Sequence, residues 1–220
     1  MKENKKEKTA RNDFRSLFQL MCMLLFHNNI RCYTQAEKCF CMANILLNKG
    51  EKQMNKFERI SKEQFKKDFD TSETVGGKDI WFGKIQYEDI KLPVRATKYS
   101  AGFDFFSPID ISLAPGESFK IPTGIRVLLD EDKFLALVPR SGLGFKYRLQ
   151  LDNTIGIIDA DYSGSKNEGH IWVKMTNDGT RDFKIAKGEA FAQGIIMQYF
   201  VTVDDDATAV RDGGFGSTTK

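Results

Sequence analysis

The sequence predicts an all-β fold of the sandwich, barrel or jelly-roll kind for most of the chain, and three observations support this. From Ile80 onward, short apolar–polar alternations recur at spacings of roughly 8 to 12 residues, as in all-β domains. Turn-forming residues separate them, most clearly in Ala114-Pro115-Gly116-Glu117. In residues 170–176, every second residue from Ile171 is apolar, as expected for a half-buried strand.

The predicted elements follow in chain order. A charged stretch between Met54 and Asp70 has apolar residues at positions that suit one short amphipathic helix. Strands are predicted at 118–121, 125–129, 134–138, 154–158, 170–176, 183–185 and 190–197. We therefore expect a linker with a short helix over 54–79, the β domain over 80–203, and a flexible C-terminal arm over 204–220.

Residues 1–53 differ in composition from the rest and form either a short helical N-terminal extension or a translated leader. They are basic, contain all the cysteines and have only a weak helical pattern. Lys49-Gly50-Glu51 can be encoded by a purine-rich string that contains a bacterial ribosome-binding sequence, at a suitable distance before the codon of Met54. Our hypothesis is that translation starts at Met54 and that the preceding residues are not native.

The composition excludes several function classes. A hydrophobic fraction of 41% and a charged fraction of 29% argue against general disorder, and a net charge of +3 predicts neither a nucleic-acid nor a membrane partner. The four cysteines lie between Cys22 and Cys41 without a CxxC pair, which favours neither a disulfide framework nor zinc. The apolar run 17–26 is about half as long as a spanning helix, and we expect a cytoplasmic protein.

Five short blocks follow one another through the β-rich region, and their order matters more than any one of them. They are AGFDFFS at 101–107, PRSGLG at 139–144, GIIDADY at 156–162, KGEAFAQ at 187–193 and RDGGFGS at 211–217. Together they resemble the five motifs of the homotrimeric dUTPase family, over roughly Lys91 to the C-terminus. The longer segment 163–170 resembles an insertion on the rim of phage and Gram-positive members.

This resemblance implies a dUTPase-like jelly roll, also called a β-clip, that assembles as a homotrimer with shared active sites. The implied activity is Mg²⁺-dependent hydrolysis of dUTP to dUMP and pyrophosphate by attack of water on the α-phosphate. Such an activity limits uracil incorporation into DNA and supplies dUMP for thymidylate synthesis.

The second block has the chemistry of a phosphate cradle, although the same residues also suit an ordinary turn. It combines the guanidinium of Arg140, the hydroxyl of Ser141 and the amide of Gly142, which an oxyanion can approach closely. By resemblance these three residues contact the triphosphate, and so does Gln193 in the fourth block. The resemblance also places Asp104 near Mg²⁺, through water, since this ion usually keeps several of its waters.

The third block offers two carboxylates, Asp159 and Asp161, after a predicted strand. Residues two apart on a strand share a face, so the pair could share a site, although two aspartates at a strand end are also typical of a solvated turn. By resemblance Asp159 is the general base that orients and deprotonates water. We expect Asp161 to be structural and to hold a hairpin over 153–162.

That predicted hairpin resembles a uracil pocket. By resemblance, Asn153 and the hairpin backbone, including Gly156 and Ile158, mimic a base-pairing partner, and Tyr162 lies under the deoxyribose and excludes a 2′-hydroxyl. The alternative for Tyr162 is a half-buried strand tyrosine with its hydroxyl in water.

The last block carries a cation and an aromatic ring on a glycine-rich tail. By resemblance this segment is a lid over a neighbouring subunit's site, in which Arg211 pairs with the γ-phosphate, Phe215 stacks on the base, and Gly216 and Ser217 also contact substrate. A tail without a role is the alternative.

Two other functions stay open at this point. A dCTP deaminase of related fold would need a glutamate in the third block, where this chain has Asp159. A family member that regulates a protein partner could use the segment 163–170 as a docking surface, and this role could coexist with catalysis.

Overall fold

A computed structural model describes residues 55–209 and residue 211. The predictions for residues 1–53, and those for Phe215, Gly216 and Ser217, lie outside the described residues. Within the described part, no helix is long and apolar enough to cross a membrane.

The described residues form mainly short strands, as expected. The strands are β1 Lys56–Arg59, β2 Ser72–Val75, β3 Lys78–Trp81, β4 Val94–Arg95, β5 Gly102–Phe106, β6 Ile111–Leu113, β7 Ser118–Pro122, β8 Ile125–Leu128, β9 Lys133–Pro139, β10 Leu149–Leu151, β11 Gly156–Asp159, β12 Trp172–Asn177, β13 Phe183–Ile185 and β14 Ala190–Gln198. The helices are α1 Lys62–Phe69 and α2 Ser141–Tyr147, with 3-10 turns at Phe82–Lys84, Tyr87–Asp89 and Ala160–Gly164.

An antiparallel five-stranded sheet, in the order β11-β9-β14-β5-β4, forms the largest layer. The central strands β9 and β14 pair over seven positions, from Ala192 opposite Pro139 to Gln198 opposite Lys133. Apolar side chains of both strands, such as Leu135 and Phe191, are fully buried in the core. A three-stranded sheet β10-β12-β7 and the pair β13-β6 supply further core residues. The predicted all-β, jelly-roll-like architecture is thus confirmed.

The segment 54–79, expected to be a linker with a short helix, needs correction. Strand β1 pairs with β8 over four positions, with Phe57 opposite Val127, and β2 and β3 form a hairpin. At its turn Gly76 has a φ of +56° and packs so closely on the Ser112 carbonyl that no Cβ would fit. Sequence periodicity missed these strands because each is only four residues long, and the partner of β1 is also distant in the sequence.

The helix expected in this segment is present as α1, and local chemistry explains its start. The Ser61 side chain accepts a hydrogen bond from the Gln64 amide and caps the first turn. Phe65 and Phe69 lie one turn apart and stack with their ring centroids 4.0 Å from each other. Both rings are buried in the same core as the sheet residues, so α1 is part of the domain.

Truncation of a ring in α1 tests this correction. Replacing Phe69 with alanine should lower the free energy of unfolding by about 3–5 kcal/mol, because it opens a cavity beside a fully buried position. Urea unfolding followed by circular dichroism measures the change. The matched control is Phe145→Ala, since Phe145 is 92% exposed and its loss should cost less than about 0.5 kcal/mol. Equal midpoints for the two variants would contradict the assignment of α1 to the cooperative core.

Candidate active site

The segment 153–162 is not a hairpin, contrary to expectation. The strand that precedes it, β10, pairs with β12, whereas the strand within it, β11, pairs with β9 in the other sheet. The turn between them places Thr154 at a φ of +65°, and the amide of Ile155 donates to the Asn153 carbonyl at 2.7 Å. The segment therefore crosses from one sheet to the other, and the gap between the sheets opens a cleft at this point.

A cavity of about 270 Å³ lies in this cleft. Its walls contain six residues predicted from the sequence, namely Asn153, Gly156, Ile158, Asp159, Tyr162 and Arg211. Sequence reasoning missed Leu137, Leu151, Ile157 and Trp172, which also line it. Strand alternation predicts which face such residues occupy, but it does not reveal that the face borders a cavity.

Packing at the cleft favours glycine at position 156. A Cβ at this position would lie 3.1 Å from the Leu137 Cβ, closer than most side chains tolerate. Glycine thus allows β11 to approach β9 while the adjacent backbone faces the cavity.

Both carboxylates of the third block reach the guanidinium of Arg211. Asp159 ends β11 and contacts Nη2 of Arg211, and Asp161 lies in the following 3-10 turn and accepts from Nε at 2.9 Å. Asp161 was expected to hold a hairpin; it contacts the C-terminal arm instead. The two carboxylates share a site, but through the bend after β11 and not through strand alternation.

Tyr162 forms the buried wall of the cleft, so the alternative of a hydroxyl in water is wrong. Its ring is buried, and its hydroxyl donates to the His170 carbonyl at 3.1 Å. The same hydroxyl accepts a hydrogen bond from Nδ2 of Asn167 at 2.8 Å. Burial raises the pKa of Tyr162 above its ordinary value, an effect that the bond from Asn167 partly offsets.

The insertion 163–170 lies against helix α1. Both carboxylate oxygens of Glu168 accept from Ser61, one from its amide and one from its hydroxyl. His170 is fully buried, and its Nδ1 lies 2.6 Å from Oδ2 of Asp68 in α1. Burial raises the pKa of Asp68, but hydrogen bonds from His170 and Gln64 outweigh it and leave this pKa below its ordinary value. The use of this insertion as a docking surface stays a prediction.

A second polar group lies elsewhere in the five-stranded sheet. Asp104 in β5 stands opposite Gln193 in β14, and its carboxylate lies 3.1 Å from Nε of Arg140. Arg140 also donates to the Ala190 carbonyl, and Gln193 donates to the Pro139 carbonyl. Ser141 and Gly142 begin α2 directly after Arg140, where backbone amides have no acceptor within their own helix.

The cleft at Asp159 and the polar residues around Arg140 are far apart within one chain. Asp159 pairs with Phe134 near the start of β9, whereas Arg140 directly follows the end of that strand. Phe134, the partner of Asp159, and Arg140 are six residues apart along an extended strand, which corresponds to about 20 Å. A single subunit therefore does not bring the predicted phosphate cradle to the predicted base.

The described residues contain no group of three or more histidine, cysteine, aspartate or glutamate side chains that could hold a metal ion. Asp104 offers one carboxylate, which Arg140 already neutralises. Such a site does not suit a resident metal, but one carboxylate is enough for Mg²⁺ that arrives on a triphosphate with most of its waters.

Comparison with known proteins identifies similar sequences over this part of the chain. The profile of the dUTPase family matches residues 88–219. The deoxyuridine 5'-triphosphate nucleotidohydrolase of Lactococcus lactis is 38% identical over 138 residues, which cover 61% of this chain and 92% of that protein. The protein of the same name from Hahella chejuensis is 41% identical over 138 residues, covering 59% and 88%. The dUTPase structure from Streptococcus mutans has 27% identity and a TM-score of 0.49, covering 66% of this chain and 97% of that one.

The contact between α1 and the insertion predicts a pH dependence of stability. A carboxyl whose pKa is lower in the folded chain stabilises the fold above its unfolded pKa, and this contribution disappears as the pH falls through the folded value. Asp68→Asn should therefore lower the free energy of unfolding by about 1 kcal/mol at neutral pH. The difference from the unmodified protein should shrink as the pH falls below 3.8, the ordinary value for this carboxyl.

Urea unfolding at a series of pH values measures this difference. Glu168 also has a lowered pKa, so both proteins keep some sensitivity to acid, and only their difference reports on Asp68. A difference that stays constant with pH would contradict the assigned hydrogen bond between Asp68 and His170.

Proposed function

The chain belongs to the dUTPase family, and we propose that the cleft at Asp159 hydrolyses dUTP to dUMP and pyrophosphate. The observation that carries this proposal is the meeting of Asn153, Asp159 and Tyr162 with Arg211 around one cavity. A base and a cation can activate water and stabilise phosphate charge, and a buried aromatic ring can form a wall for the nucleoside.

Asp159 is the proposed general base. Its side chain is 40% exposed, so water can reach the carboxylate from the cavity. The water oxygen forms a bond to the α-phosphorus, the bond from this phosphorus to the bridging oxygen breaks, and Asp159 accepts the proton as pyrophosphate leaves. Because aspartate is a weak base at neutral pH, most of the rate gain must come from alignment of the water and stabilisation of charge.

Arg211 is proposed to exchange partners when substrate binds. In the free chain its guanidinium is held by Asp159 and Asp161. A triphosphate offers more negative charge and bidentate acceptor geometry, so it competes for this cation. The exchange frees Asp159 for water and places a positive charge beside the phosphates. The resemblance implied this γ-phosphate contact in a neighbouring subunit's site, whereas here Arg211 lies at the cleft of its own chain.

The residues at 153–162 are the proposed selectors of base and sugar. The crossing segment lines the cavity with Asn153, Gly156 and Ile158, whose backbone groups and amide side chain are the proposed partners of the uracil edge. A site that hydrogen-bonds one base edge rejects bases that leave its polar groups unpaired. The buried ring of Tyr162 is a fixed wall for the sugar and would exclude a 2′-hydroxyl.

Asp104 is the proposed contact for Mg²⁺, through water. Bound to the triphosphate, the ion supplies neutralisation of the charge that develops on the leaving pyrophosphate. Arg140 supports this role in a second way, because its guanidinium holds the Asp104 carboxylate in place and can itself reach phosphate oxygens.

A homotrimer with shared active sites is the proposed assembly. Its support is geometric, since the roughly 20 Å between Asp159 and Arg140 requires a second subunit to complete the site. Large apolar side chains also remain exposed beside the cleft and after β14, among them Ile157 at 49% and Phe200 at 86%. Burial of such side chains between subunits is a common source of stability in oligomers. The proposal includes a cytoplasmic location, where dUTP is available.

Two substitutions separate the base from its neighbour. Asp159→Asn should lower kcat about 10²- to 10⁴-fold, because it removes the proton acceptor with little change in shape. Asp161→Asn, which alters the same arginine contact, should lower kcat far less. Pyrophosphate release with dUTP measures both, and dTTP, dCTP and UTP test selectivity. Equal losses in the two variants would refute Asp159 as the base, and hydrolysis of dCTP or UTP at a rate comparable to that of dUTP would refute the uracil-pocket assignment.

Subunit mixing tests whether the sites are shared. Arg140→Ala and Asp159→Asn should each be nearly inactive alone, because each lacks one half of every site. After equal amounts are mixed and allowed to exchange subunits, about a quarter of the sites should combine an intact Arg140 with an intact Asp159 from different subunits. Recovered pyrophosphate release is the expected result. A mixture that exchanges subunits, as shown by native mass spectrometry, yet stays as inactive as its components would overturn the shared-site proposal.

A further inference from the structure

We infer that Asn167 is a positioning residue that fixes the ring of Tyr162 and thereby sets the preference for deoxyribose over ribose. This inference rests on the proposed function, because it concerns the wall that Tyr162 presents to the sugar. Asn167 lies in the insertion 163–170 and does not line the cavity itself. It acts on the cleft only through the Tyr162 hydroxyl.

The amide of Asn167 has a defined orientation. Its Nδ2 donates to the Tyr162 hydroxyl at 2.8 Å, and its Oδ1 accepts from the Gly169 amide at 3.2 Å. The Tyr162 hydroxyl, having accepted one hydrogen bond, donates its own proton to the His170 carbonyl at 3.1 Å. Donors and acceptors alternate along this chain of bonds, so each group has one defined role.

The loop that carries Asn167 is folded tightly enough to keep this geometry. Gly169 has a φ of +72°, and a Cβ there would lie 2.7 Å from the Ser163 backbone. The ends of the insertion therefore touch, and only glycine permits the approach. The position of Asn167 is thus set by backbone packing in addition to its own hydrogen bonds.

Helix α1 anchors the same loop from outside the cleft. Gly124 donates its amide proton to Nε2 of His170 at 2.8 Å, so the other nitrogen, Nδ1, carries the ring proton and donates it to Asp68. Glu168 holds Ser61 at the start of α1 with bonds of 2.6 and 2.7 Å. Residues before and after Tyr162 in the sequence thus meet in one network that ends at its hydroxyl.

This connection matters because a steric wall discriminates only if it does not move. A missing and a present 2′-hydroxyl differ by one oxygen atom, and functional groups must be held within about 0.5 Å to exploit such a difference. Without the bond from Asn167, the ring of Tyr162 stays buried, but its hydroxyl loses one of the two hydrogen bonds that hold it. Room for a 2′-hydroxyl then opens in a fraction of molecules.

The test compares kcat/KM for dUTP and UTP in the full chain, with Mg²⁺ present, for Asn167→Ala and Tyr162→Phe. Tyr162→Phe keeps the ring and removes only the hydroxyl that both bonds hold. Each variant should lower the ratio of dUTP to UTP efficiency about two- to tenfold, the effect expected from loss of one neutral hydrogen bond. The double variant should show no larger loss than Tyr162→Phe, because both substitutions break the same bond.

Gln86→Ala is the matched control, since it removes an exposed amide that bonds to the Lys84 carbonyl. Its ratio should equal that of the unmodified protein. Variants that keep the full ratio but melt at a lower temperature would show a purely structural role and overturn the inference. If Asn167→Ala does not fold, Asn167→Asp, which keeps the acceptor for the Gly169 amide but loses the donor to Tyr162, takes its place. Failure of the unmodified protein to prefer dUTP would instead overturn the proposed function.

Discussion

The pairing of β9 with β14 is the constraint on which the rest of the structure depends. These strands form the centre of the five-stranded sheet, and their register fixes which groups stand at each end. Asp159 lies at one end of the sheet because β11 pairs with β9. Arg140 follows β9 at the other end, and Asp104 lies beside it. A slip of one residue would turn every side chain of β9 to the opposite face, so core burial and placement of the functional groups are inseparable.

The same register makes one chain insufficient for the proposed chemistry. A buried strand, not a loop, connects the two polar groups of the chain, so their separation is fixed. Rigid separation suits an assembly in which every subunit contributes a different part to each site. The catalytic geometry would then depend on the interface between subunits, and interface and active site would be constrained together.

The segment from Phe57 to Trp81 also helps to position a part of the proposed substrate site. It contributes strands and a helix to the common core, and α1 holds the insertion that contacts the Tyr162 hydroxyl. Much of this network was not predictable. Asp68 and His170 are 102 residues apart, and nothing in either local sequence indicates the other. Short strands such as β2 give too few positions for a period to be recognised.

The sequence by itself determined the fold class, seven of the fourteen described strands and the candidate residues, because alternation and short motifs are local patterns. Only the tertiary structure decided that 153–162 crosses between two sheets, that Asp161 contacts Arg211, and that the hydroxyl of Tyr162 is held by the insertion. These features depend on contacts between distant parts of the chain. Such contacts are selected by the packing of the whole core, which no local pattern encodes.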